Sequence, residues 1–250
     1  MIFPSTTDPA LPTDATGRRP ASYWRLHGIL SLISLMIVLV SINRKSSVTS
    51  SFVAANQFLR WTEMNNMILG LSTVVLYFHL SSHLVVTSGR EQARARKALG
   101  AIFVIGTYVY GLSFGNHEVT NYLHGRFCAS TPSRLCDIIA FNDDNFSDFL
   151  FLAGFSVLNV VVMATQVRFP SHRLLSVWDN VLIAINALFV SAGIVANLAF
   201  EKAVFDPYVV AMVAVLALAL LIRSPRQPIL RYYTVAYAFG LIITVVIKSQ

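Results

Sequence analysis

The chain is predicted to be an all-α protein whose helices cross a membrane, and three observations predict it. Of its 250 residues, 55% are hydrophobic and only 12% are charged. A soluble domain of this length needs roughly a quarter of its residues charged to cover its surface. The mean hydropathy is +0.62, and the apolar residues gather into seven long runs. A span needs about 20 mostly apolar residues, so most of the surface is expected to face lipid.

The elements follow in order. Residues Met1 to about Tyr23 hold Pro4, Pro9, Pro12 and Pro20 among Ser, Thr and Asp. This segment, residues 1–23, is expected to be a disordered cytoplasmic tail. It lacks the apolar core and small-residue cleavage pattern of a signal peptide. Residues 24–250 are expected to form one transmembrane helical domain. The spans are predicted at His27–Ile42, Asn65–Thr87, Ala98 to about Phe114 (with helix continuing past it), Phe146–Val167, Trp178–Phe200, Tyr208–Ile222 and Ile229–Ile247. The first and sixth are short and must borrow flanking residues, which keeps six spans as the alternative to seven. Trp24, Trp61, Trp178 and Tyr208 stand at segment ends, where an interfacial aromatic belt places them. Arg231, Tyr232, Tyr233 and Tyr237 open the last span and are read as a snorkelling anchor with an aromatic belt. Asn186 and Asn197 are read as polar glue between helices.

Sidedness follows from Lys and Arg. The tail and the loops after the second, fourth and sixth spans carry 12 of the 19 basic residues and four acids; the other side carries seven basic and eight acidic residues. Basic residues mark the cytoplasmic side. The amino terminus is therefore expected inside and the carboxyl terminus outside. The net charge of +7 is then a topology signal, and no nucleic-acid partner is expected. Such a protein belongs in a bacterial inner membrane or a eukaryotic plasma membrane or endomembrane. Cys128 and Cys136 are too few for a disulfide scaffold and lack a zinc spacing. Both fall outside, where an oxidising compartment allows them to close a small loop with Pro132 and Ser133 in its turn.

The most polar stretch lies outside, between the third and fourth spans. If the third helix continues, His117, Asn121 and His124 share one face, with Glu118 beside it. Asp143, Asp144 and Asp148 precede or open the fourth helix, where carboxylates also cap orphan amides. Glu63, Asn65 and Asn66 open the second span at the same level, and Asn197 and Glu201 end the fifth. Two imidazoles with two or three carboxylates can bind zinc or iron and leave a position open for water or substrate. His117, His124 and Asp148 are the expected ligands of such a divalent metal, with Glu118 and Asp144 as the acid/base groups. The spacing is not the zincin H-E-x-x-H, because Asn121 occupies the place of the second histidine. The competing reading gives the aspartates to capping and the histidines to the loop.

A second pair, His79 and His83, lies i, i+4 on the second helix. His79 is about 21 Å from Asn65 at ~1.5 Å per residue, too deep to join the outer cluster. Ionisable groups within spans usually face the bundle interior, so this pair is a candidate for cofactor binding or a proton relay, against an interhelical hydrogen bond.

Seven spans with an internal amino terminus resemble the architecture of progestin and adipoQ receptors and related ceramidase-like hydrolases. Those families build a zinc site from a histidine on the second span and an HxxxH on the last. The last span here holds no histidine, so the resemblance stops at architecture. Microbial rhodopsins have the opposite orientation and a lysine midway along the last span, whereas Lys248 is terminal. The chain is assigned to no family. The expected function is a membrane-embedded enzyme, metal-dependent or acid/base, acting on a lipid or apolar substrate at the outer leaflet. The alternatives are a proton- or ion-coupled transporter or channel using His79 and His83, and a non-catalytic subunit that meets partner subunits in a membrane complex.

Overall fold

The computed structural model describes residues 23–45, 47–89, 92–128, 133–200 and 206–249. The expected tail, apart from Tyr23, lies outside these residues, as do Glu201, Pro132 and the side chain of Asn197. The described residues are almost entirely helical, with a single isolated β-bridge between Phe52 and Arg60. Eight α-helices occur: α1 (Trp24–Lys45), α2 (Trp61–Ser88), α3 (Ala93–Leu123), α4 (Arg134–Ala140), α5 (Ser147–Arg168), α6 (Val177–Phe200), α7 (Asp206–Arg223) and α8 (Pro228–Lys248). Seven stretches are long and apolar enough to cross a membrane, because α4 runs into α5 as one stretch, Arg134–Arg168. The two short spans take in flanking residues, the first as α1 (Trp24–Lys45) and the sixth as α7 (Asp206–Arg223), which favours seven spans over six. Trp24, Trp61, Trp178 and Tyr208 are all exposed, as lipid-facing belt residues would be.

Helices in hydrocarbon pack through small residues that let backbones approach. A Cβ built on Gly154 of α5 would stand 2.5 Å from the Tyr110 amide nitrogen of α3, closer than any real Cβ contact. Gly106 of α3 meets Val157 in the same way, and Gly240 of α8 meets Ile194 of α6, each at 2.8 Å. These glycines set how closely α3 packs on α5 and α6 on α8. Between α1 and α6 the expected polar glue is present: Ser34 Oγ donates to Asn186 Oδ1 at 2.9 Å, and Asn186 Nδ2 donates to Ser31 Oγ at 3.3 Å. Lower on the same pair, His27 Nε2 lies 2.8 Å from Asp179 Oδ1.

One expectation is corrected here. Tyr232, Tyr233 and Tyr237 form no interfacial belt; all three are fully buried, together with Tyr77 of α2. For Tyr77 and Tyr237 the reason is a polar centre that no single segment reveals. Asn159 of α5 accepts from Tyr77 Oη at 2.7 Å, and its Nδ2 donates to Tyr237 Oη at 2.5 Å. A buried tyrosine is tolerated when its hydroxyl finds a partner, and here one asparagine supplies two. Arg231 does anchor the start of α8, donating to Asn180 Oδ1 at 2.5 Å and to the Pro225 carbonyl at 2.9 Å.

Gly154→Ala should therefore destabilise the bundle by about 1–3 kcal/mol, the usual cost of overpacking a core. Gly111→Ala, whose added Cβ would meet nothing within 4 Å, should leave stability unchanged or slightly raised. Thermal unfolding of both variants in detergent checks the pair, and equal behaviour would refute the close approach.

Candidate metal centre

The seam between α3 and α5 continues past its apolar part into a polar one. Ser113 Oγ donates to the Ser147 carbonyl at 2.8 Å. Asn116 Nδ2 donates to the Asn142 carbonyl at 2.9 Å and to Ser147 Oγ at 2.8 Å. One turn further, His117 Nδ1 lies 3.0 Å from Asp143 Oδ1, and His124 Nδ1 lies 3.4 Å from Asp143 Oδ2. Thr120 Oγ1 also reaches Asp143 Oδ1 at 3.4 Å. Asp143 is only 2% exposed, so its charge is held by two imidazoles and a hydroxyl rather than by water.

The backbone is unusual at both sides of this contact. α3 passes into a π-helical turn at His124–Cys128, and α4 passes into α5 through a π-helical turn at Phe141–Phe146. Such turns are rare and occur mostly at functional sites. Here one begins at His124 and the other contains Asp143 and Asp144. The helix therefore runs unbroken through the aspartates, and none of Asp143, Asp144 and Asp148 caps its start. The cap is Ser133, whose Oγ accepts from the Cys136 amide at 3.2 Å. Beyond the two π turns, Cys128 and Cys136 form a disulfide with Cα atoms 5.4 Å apart. The expected small loop is thus closed, and the bridge ties the His124 turn to the helix that leads to Asp143.

His124, Asp143 and Asp144 each offer one ligand atom, and these atoms lie within 4.8 Å of one another. Bonds from a divalent metal to imidazole nitrogen or carboxylate oxygen are about 2.0–2.2 Å long. Ligand atoms on one tetrahedral metal stand about 3.4 Å apart at that bond length, so the three could close on a cation only after a shift of roughly an ångström. The sequence placed His117, His124 and Asp148 as ligands and Glu118 and Asp144 as acid/base groups. The structure brings the two histidines together on Asp143, sets Asp144 beside them, and leaves Asp148 on the first turn of α5, outside that group.

Glu118 is 1% exposed and turns to the neighbouring helices. Its Oε2 accepts from Asn66 Nδ2 of α2 at 3.0 Å, and its Oε1 lies 3.5 Å from Arg44 Nη2 of α1. Asn43 donates in turn to Asn66 Oδ1 at 2.7 Å and to the Thr62 carbonyl at 2.8 Å. Glu63, fully buried, pairs with Arg60, whose guanidinium also lies 5.5 Å from the centre of the Tyr122 ring. Three buried carboxylates thus occupy this end of the bundle. Glu63 and Glu118 each face an arginine, a cation that does not deprotonate in proteins. Asp143 faces histidines, whose charge changes near neutral pH.

His79 and His83 occupy a different setting. His79 is exposed on the outer face of α2 and His83 is partly buried. The inward orientation expected of them is not observed for His79, because Tyr77, Leu80 and Leu84 take the inward face of that helix. Sequence reasoning missed Asn43 and Arg44 as members of the polar layer. It also missed Asp143 as the residue on which both histidines converge; the only signal was its position in the same Asn-Asp-Asp-Asn run as Asp144.

No protein-family model, curated protein or solved structure matches the chain.

Opening the disulfide should cost about 2–3 kcal/mol, as expected for a short closed loop. The Cys128→Ser, Cys136→Ser double variant and the reduced wild type should unfold at the same lowered temperature. Unfolding of the oxidised protein at that same temperature would show that the bridge contributes nothing.

Proposed function

We propose that this chain is a membrane-embedded enzyme in which the His117–His124–Asp143–Asp144 cluster holds a divalent cation and acts on a lipid or other apolar substrate at the outer face of the membrane. The observation that carries this reading is the convergence of two titratable imidazoles on one buried carboxylate across two π-helical turns. A purely structural buried aspartate would be as well served by arginine, which neighbouring Glu63 and Glu118 have.

His124, Asp143 and Asp144 are the ligands that geometry favours, with His117 holding the Asp143 carboxylate in place from the other side. A mixed imidazole and carboxylate set suits zinc, iron or manganese better than calcium. Such a cation, when bound, lowers the pKa of a coordinated water towards neutrality. His117 would orient the Asp143 carboxylate as a hydrogen-bonded partner standing behind a metal ligand.

Two features support an apolar substrate on the outer side. Leu135, Ile138 and Phe141 are exposed on the helix that leads to the acidic pair, so the approach to the cluster is apolar. The disulfide eight residues long in sequence separation requires an oxidising compartment to persist, in agreement with the outside placement that the basic residues imply.

Purified protein should contain close to one zinc, iron or manganese per chain by elemental analysis. Asp143→Asn and His124→Ala should each lose it, while Asp148→Asn should keep it. Absence of stoichiometric metal from protein purified without chelator, and after loading with each of the three ions, would end the metalloenzyme reading.

A further inference from the structure

α1 and α6 run side by side and are bonded to each other at the levels of His27–Asp179 and Ser34–Asn186. Towards the end that carries the metal centre, those bonds cease. The facing side chains of α6 become Ala192, Gly193 and Ala196, and the helices enclose an open groove of about 490 Å³ with Ile37, Ser41 and Phe189 in its walls. The volume is that of an ordinary ligand pocket. A Cβ on Gly193 would make ordinary contact with Ile37 Cγ2 at 3.5 Å, so the groove at this level has room for a small side chain and none occupies it.

At this depth the groove opens on hydrocarbon, and an empty groove forfeits dispersion contacts along its whole lining. Ile37, Ser41 and Arg44 stand at i, i+4 and i+7 on α1 and therefore share one face. Arg44 stands on the next turn of α1 beyond the residues that line the groove, with its side chain 46% exposed. An apolar slot about two helical turns long that ends in a half-exposed guanidinium matches a lipid with an acyl chain below and an anionic phosphate above. Arginine is well suited to that phosphate because its planar fork presents several donors at once.

We infer that the α1–α6 groove binds one phospholipid with an anionic headgroup, its acyl chain along Ala192, Gly193 and Ala196 and its phosphate at Arg44. Arg44 also bonds Glu118, the residue next to His117, so this lipid enters beside the proposed metal centre. Its role as substrate rests on the enzyme reading above; its binding does not.

The test uses full-length protein in mixed micelles of phosphatidylglycerol and phosphatidylcholine with matched chains, read by native mass spectrometry. The wild type should retain one anionic lipid with about fivefold preference over the zwitterionic one, the effect expected of a single basic side chain near a lipid surface. Arg44→Gln should abolish the preference and Arg44→Lys should retain it. Gly193→Leu, which fills the groove and leaves Arg44 untouched, should lose the bound lipid; it decides the matter if Arg44→Gln fails to fold. Equal retention of both lipids by the wild type overturns the proposal, as does anionic preference that survives Gly193→Leu. A wild-type dimer that Gly193→Leu dissociates would overturn it too, because a second copy would then be the occupant. Metal content measured on the same samples separates the two readings: lipid bound without metal sinks the enzyme and leaves the groove, and metal bound without lipid does the reverse.

Discussion

Everything at the polar end of this protein depends on the close approach of two backbones at Gly154 and Tyr110. With a side chain at position 154, α5 would have to stand away from α3, because there is no room even for a Cβ. That one contact fixes an antiparallel register that is then read off in order. The rings of Phe114 and Phe151 meet at 6.1 Å; Ser113 and Asn116 then bond Ser147 and Asn142; His117 and His124 follow on Asp143; and the disulfide closes the far end. From Phe114–Phe151 to Cys128–Cys136 the contacts advance along α3 while retreating along its partner. The seam passes from apolar to polar to covalent as it leaves the membrane, which suits hydrocarbon below and water above.

The polar layer shows why a membrane protein can afford several buried charges at one level. A charge in hydrocarbon is expensive unless it is paired and fully hydrogen-bonded, and a single unpaired acid would destabilise the bundle by several kcal/mol. Here Glu63, Glu118 and Asp143 each have a partner from another helix turn or another helix. Glu118 draws on α1 and α2, Glu63 on Arg60, and Asp143 on α3. Arginine makes the first two permanent. Asp143 is held by two histidines instead, and that difference in partner, rather than depth or charge, sets its site apart from those of Glu63 and Glu118.

The spans were legible in the sequence because apolar run length is a direct consequence of bilayer thickness; Trp24, Trp178 and Tyr208 fall at helix ends as read. His117 and His124 were legible as one face because helical spacing alone puts them there. Asp143 was not, for a specific reason. A helix taken to start near Phe146 makes Asp143 a cap and Asp148 the first inward carboxylate. The actual helix begins at Arg134 and inserts a π turn at Phe141–Phe146, which rotates Asp143 inward. No residue pattern announces a π turn, since its cause is the fit to α3. The tyrosines of α8 were misjudged for the same kind of reason. Asn159, the partner of Tyr237, is 78 positions away in the chain, and belt and core tyrosines look alike until that partner is found.

Arg44 is where the two halves of the functional reading meet, and its chemistry limits how they can be coupled. Glu118 is buried with Asn66 and Arg44 bonded to its carboxylate, so a lipid phosphate that took Arg44 away would leave that carboxylate without its arginine. The guanidinium has five N–H donors in a rigid fork, and the contact to Glu118 uses one nitrogen at 3.5 Å. The exposed part of the fork is therefore available to a phosphate while the other edge stays on Glu118. Lysine, a point charge on a flexible stem, could also serve both anions electrostatically but would not hold them in a fixed geometry. A headgroup at Arg44 would be tied through Glu118 to the helix turn that carries His117, so occupation of the groove and the geometry of the metal centre share one rigid element of α3.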